Sequence, residues 1–159
     1  MKALKFLVGV IATETVAGVG LGVSSERIRD TLGEQYVADR RKKSLRLDYG
    51  LLEFGLYADV CETISIQVHR LFGGTQGLVP EVLEDAFSGF SRSIRFESLC
   101  NEVERTEIYT LAEVVKQQGY RCYRVGNSSV IIYVVDEVAS DSDHFSRGDV
   151  WSVVISRRG

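Results

Sequence analysis

The sequence predicts a single α+β domain over residues 1–159, an antiparallel sheet with helices on one face, and three observations predict it. Ser24 to Gly33 carries helix start and stop signals around a helical apolar spacing. Ile64, Ile66 and Val68 alternate with Ser65, Gln67 and His69, the period of a strand with one buried and one wetter face. Two strand-like runs, Arg121 to Val125 and Ser128 to Val138, flank Gly126 and Asn127 as in a hairpin.

At the N-terminus, Lys2 and Lys5 precede the apolar run Phe6 to Ala12, which superficially resembles an export signal. The run is short, Glu14 follows it and no clean small-residue cleavage site is visible, so a cytoplasmic location is expected. It also falls short of the roughly 20 apolar residues of a membrane span. In the first helix, Ser24 can cap free amides, Glu26 favours the positive end, and Ile28 and Leu32 share one face before Gly33 supplies the stop.

Beyond it, Leu45 to Leu56 reads as a strand with an irregularity near Gly50, and Cys61 to Arg70 as its antiparallel partner. Gly73 to Phe90, with Pro80 opening a short helix through Val82, Leu83 and Phe87, reads as a connector between halves 1–75 and 90–159. Phe96, Leu99, Cys100 and Val103 follow helical spacing. Thr110 and Glu113 form a capping-box pattern, and Leu111, Val114 and Val115 an apolar stripe ending at Gly119, so a helix is expected there too. Cap and stop would then recur at the separation seen in the first half, suggesting a tandem repeat of a helix-plus-strands unit. Asp149 to Ser156 closes the second half, with Trp151, Val153 and Ile155 expected on one face.

Gly20, Leu21, Gly22, Val23, then Ser24 through Leu32 and Gly33, resembles the opening of the small outer-membrane assembly lipoproteins and of the β-lactamase inhibitor protein family. The resemblance implies a glycine-led segment, a short capped helix and an antiparallel strand pair, a unit that the inhibitor doubles and that bacterial immunity proteins also use. This chain lacks the lipidated cysteine of the former and an obvious disulfide scheme of the latter. A toxin-neutralising immunity or inhibitor protein, occluding a toxin's active cleft, is the function the resemblance implies.

Composition restricts the alternatives. A length of 159 residues can bury a sizeable core without disulfide or metal. The net charge of -3 argues against nucleic acid as the partner, and a protein partner is expected instead. Cys61, Cys100 and Cys122 are odd in number and widely spaced, with no metal-ligand pattern, so buried thiols are expected. No phosphate loop or dinucleotide fingerprint occurs, and no cofactor or catalytic residue is assigned.

Two charge features are the candidate partner-binding residues. Arg40, Arg41, Lys42 and Lys43, with Arg46 nearby, are placed in the loop leading into the first long strand. Asp136, Glu137, Asp141, Asp143 and Asp149, with His144 among them, crowd the connection before the last strand. Their spacing fails the calcium-loop pattern at Phe145 and Ser146, so an acidic docking loop is expected rather than a metal site. Tyr57, Tyr109, Tyr120, Tyr123 and Tyr133 would add anchors if they lie on the outer sheet face. The rival expectation is a small-molecule site or unrecognised enzyme with a pocket near His69, drawing on Glu53 or Tyr49.

Overall fold

The structure is a computed structural model and describes residues 1–106, 110–138 and 144–157. It is α+β. Helix α1 (Lys2–Thr13) leads through the two-stranded ribbon β1 (Thr15–Val16) and β2 (Val19–Gly20) to α2 (Ser25–Leu32). Four strands follow: β3 (Val37–Arg41), β4 (Ser44–Asp48), β5 (Leu52–Tyr57) and β6 (Val60–Ile66). After two 3-10 turns and α3 (Phe96–Arg105) come four more, β7 (Leu111–Gln117), β8 (Tyr120–Val125), β9 (Val130–Val135) and β10 (Val150–Ser156).

Each set of four is a meander, and the two meet at their last strands to form one antiparallel sheet ordered β3-β4-β5-β6-β10-β9-β8-β7. The seam pairs Val153 with Ile66 and Ile155 with Ile64. All four are fully buried, so the halves share a single apolar core across the join.

The apolar N-terminal run is part of that core. Ala3, Leu7, Val10 and Ile11 recur at helical spacing and are buried, and Phe6 meets Phe87 edge to face at 5.3 Å. At the end of α1, the Glu14 carboxylate accepts the Ser129 amide, tying the first helix to the β8–β9 turn. Helix α2 starts as its sequence predicts: Ser24 Oγ accepts the Arg27 amide, and the chain leaves the helix at Gly33, φ 91. Asp59, in the tight turn between β5 and β6, accepts the Ser25 amide and so adds a carboxylate at the same positive end.

Four expectations are corrected. Leu45 to Leu56 is a hairpin rather than one strand, because Gly50 turns the chain between β4 and β5. Gly50 has φ 89, and a Cβ there would stand 2.7 Å from the Leu78 carbonyl oxygen, so connector and turn fit only without a side chain. The partner strand ends at Ile66, and Val68 to Gly73 coils into a 3-10 turn carrying His69 and Arg70.

Thr110 to Gly119 is not a helix. Leu111–Gln117 is edge strand β7, and Gly119, φ 82, belongs to the turn into β8. The apolar stripe contains β-branched Val114 and Val115, which suit a strand, and pairing with β8 overrides the local capping signal. The repeat read from two matching helices therefore falls; what the halves share is a helix followed by a four-stranded meander.

Finally, Trp151 leaves the face of Val153 and Ile155. A bulge between Val150 and Ser152 inserts one residue, Val150 and Val153 both point into the core, and Trp151 is only half-buried.

The register settles which face is which. Asp48, Glu53, Ser65, Val154, Ile131 and Arg124 form one row across six strands, none of them buried. Their neighbours Leu47, Phe54, Ile64, Val153 and Ile132 turn to the opposite face and are buried with the helices. One face of the sheet is thus covered, and the other is open along this row while Cys122, Val135 and Ser152 on it are buried towards one end of β8, β9 and β10.

Candidate open sheet face

Three features occupy the open face. Beside the turn between β4 and β5 is an ion-pair network around Arg70. One guanidinium nitrogen donates to Asp48 Oδ1 and to the Gly50 carbonyl, both at 2.9 Å, while the other donates to Glu53 Oε1 at 2.9 Å. Gln67 donates to the second oxygen of Glu53 at 3.2 Å, and Arg46 stands 3.5 Å from the first. Glu53 is only 16% exposed in its side chain and is held between two guanidinium groups. Three chain segments that meet only in the fold contribute, so the network has no local signature in the sequence.

Towards β3 the face dips into a depression of about 590 Å³ lined by Asp39, Arg41, Arg46, Glu53, Tyr57 and Thr63 among others. Gly55 forms part of its floor, and a Cβ there would collide with the Thr63 hydroxyl. The Tyr57 side chain is exposed beside it.

At the other end lies an aromatic cluster. Tyr120 is two residues from Cys122 in β8 and shares its face with Tyr133, the cross-strand partner of Cys122. Its ring lies 5.2 Å from Trp151, which Phe145 meets edge to face at 4.9 Å. His69 stacks on the other side of the cluster, 4.0 Å from the indole. Phe72 contacts Phe145 and His144, so both histidines belong to this group.

His69 is fixed rather than poised for catalysis. A carbonyl can only accept, so the contact of Nδ1 with the Trp151 oxygen at 3.1 Å makes Nδ1 the protonated nitrogen. Burial pushes the imidazole below its ordinary pKa of 6.5, against the opposing pull of that carbonyl. The neutral ring acts as a stacking plate. Of its expected pocket companions, Glu53 is held by Arg70 on the same face, whereas Tyr49 is on the covered side, its hydroxyl donating to the Gly33 carbonyl at 2.8 Å, and burial raises its pKa to about 12. Burial also raises the thiols of Cys61 and Cys100 to about 11, and that of Cys122 in the same direction, which disfavours a nucleophilic thiolate. Among the described residues no group of three or more histidine, cysteine, aspartate or glutamate side chains could hold a metal ion.

The charge features separate. Arg40 and Arg41 lie in β3, not in a loop, and Lys42 and Lys43 make the turn to β4. Arg41 alone of these four lines the depression.

Two members of the expected acidic loop are paired within the chain. Asp149 is buried, taking Arg95 Nη1 and the Ser146 amide at 2.8 Å each. Asp136 is surrounded by Arg121, Lys116 and Arg147 at 2.9, 3.5 and 3.2 Å. Burial would raise its pKa, but the three cations together outweigh that and lower it. Both carboxylates are committed to their own chain. Glu137 is exposed, and Asp141, Asp143 and Tyr109 lie outside the described residues.

What these elements define is an α+β protein with a broad open sheet face and no helix, among the described residues, long and apolar enough to cross a membrane. No family model, curated protein or solved structure matches the chain.

Proposed function

We propose that this protein acts by noncovalent protein binding through the open sheet face, as a toxin-neutralising immunity or inhibitor protein that occludes its target's active cleft. The observation that carries the reading is the preorganisation of that face. Arg70, Glu53 and Gln67 are locked by one another beside β4 and β5, and Tyr120 and Phe145 pack against Trp151, one tilted and one edge to face, at the other end. Side chains ordered in advance lose little entropy on binding, and Trp, Tyr and Arg are the residue types that dominate interface energetics.

The dimensions support the same reading. Eight strands spaced about 4.8 Å apart, each about 20 Å long, present roughly 700 Å², close to the ~800 Å² per partner of a standard interface. The charge arrangement favours a partner of mixed charge. Arg41, exposed at the depression, can meet a carboxylate, while Asp48 and Glu53 are paired with Arg70 and Glu53 also with Arg46.

The test is retrieval of a stoichiometric partner from the native host by the tagged chain, followed by reconstitution from purified components. The combined Arg41→Ala and Tyr57→Ala variant, at two exposed positions of the depression, should lose affinity at least about tenfold without a change in melting temperature. Val82→Ala, at an exposed position of the connector, should bind as the parent does. The retrieved partner should be inhibited by the parent chain. Equal binding by the sheet-face variant, or binding without inhibition, contradicts the reading.

A further inference from the structure

The two end strands of the sheet are built differently. β3 carries Asp39, Arg40 and Arg41 and runs into Lys42 and Lys43, so a second copy paired antiparallel about its central residue would set Asp39 against Asp39. Strand β7 lacks that protection. Six of its seven residues are exposed, including Val114 and Val115 at 49% and 46%. Its central residues Glu113, Val114, Val115 and Lys116 run acid, apolar, apolar, base.

That order is its own complement when reversed. Glu113 and Lys116 lie opposite Tyr123 and Arg121, which are two residues apart in β8 and so share a face. The bulge between Glu113 and Val115 brings this about by setting Val114 and Val115 together against Cys122. Acid and base therefore project on one side of the strand.

We propose that β7 is a self-association edge on which two copies of this chain pair antiparallel across a twofold axis, Glu113 of each facing Lys116 of the other. Val114 of each copy then faces Val115 of the other, the two sheets become continuous, and the open faces lie side by side. Lys116, 59% exposed, stands 3.5 Å from Asp136 in its own chain and keeps a free side for a second carboxylate. The inference does not depend on the proposed partner binding, because it is read from mass alone.

Sedimentation velocity of the intact chain over a concentration series tests it. The parent should form a dimer. Glu113→Lys alone and Lys116→Glu alone each replace two attractive cross-strand pairs by two repulsive ones and should weaken the dimer roughly tenfold at low salt. The double variant, Glu113→Lys with Lys116→Glu, restores opposite charges across the twofold and should recover the dimer. Melting curves check that each variant is folded, and Glu113→Lys serves if Lys116→Glu disturbs the Asp136 cluster. A parent that stays monomeric to the highest concentration, a dimer indifferent to the single variants, or a folded double variant without recovery overturns the proposal.

Discussion

The imidazole of His69 lies flat on the indole of Trp151, with ring centroids 4.0 Å apart and planes within 2° of parallel. His69 follows the last strand of the first meander and Trp151 begins the last strand of the second, so one stacked pair clasps the two halves beyond the hydrogen-bonded seam.

That pair makes stability depend on pH in a defined window. In the native state burial lowers the His69 pKa, so the unfolded chain binds the proton more tightly. The contribution is fully present above pH 6.5 and is lost as pH falls from there through the depressed native value. Chemical denaturation between pH 8 and pH 5 should show this loss in the parent and a flatter profile in His69→Phe. Lowered carboxylate pKa values, such as that of Asp136, act only at more acidic pH and do not confuse the window.

Helix signals at Ser24 and Thr110 look alike in sequence, but only the first caps a helix. Ser24→Ala should cost about 1 kcal/mol of stability, since it strands the Arg27 amide. Thr110→Ala should change stability by less than about 0.5 kcal/mol, because Thr110 contributes its backbone carbonyl, which accepts the Gly126 amide and survives the substitution. Urea denaturation of the two variants side by side measures both.

Arg70 is the hub of the open face. Arg70→Ala should destabilise by about 2 kcal/mol by leaving Asp48 without its charged donor and Glu53 with Arg46 alone. Arg70→Lys should fall between parent and Ala variant, because an ammonium cannot reproduce the forked contact to two carboxylates and the Gly50 carbonyl. Thermal melting ranks the three.

Asp149→Ala should act on the fold. Its side chain is 6% exposed and bridges Arg95 to the Ser146 amide, so truncation should cost about 3 kcal/mol. Asp149→Asn, which keeps an acceptor for the amide, should cost less. Glu137→Ala, at an exposed position, should leave the melting temperature unchanged.

Where a segment's own pattern and its tertiary environment agree, the fold is legible in the chain: the Ser24-to-Gly33 helix, the Phe96 helix and the alternation through Ile64 and Ile66 all are. The Thr110 segment was misleading because an edge strand, exposed on most of its length, shows no clean alternation, while its turn glycine imitates a helix stop. The candidate site was scarcely legible. Asp48, Glu53 and Arg70 become a unit only when β4 and β5 fold back on each other, and Trp151 joins His69 only through a bulge that periodicity cannot reveal. Charge runs, by contrast, are visible in sequence but their pairing is not: Asp136 and Asp149 read as a free acidic surface until Arg121, Arg147 and Arg95 are seen beside them.

Occupancy of the open sheet face by a protein partner is the central claim, and position-specific photo-crosslinking in the native host tests it most directly. A photoreactive residue placed at Tyr57 or Arg124 on the open face, and at Glu104 on α3 as reference, reports what each surface touches. The account predicts one heterologous protein trapped from both sheet positions and not from Glu104. Adducts from Glu104 alone, or none from either sheet position in cells that contain the toxin system, would contradict it.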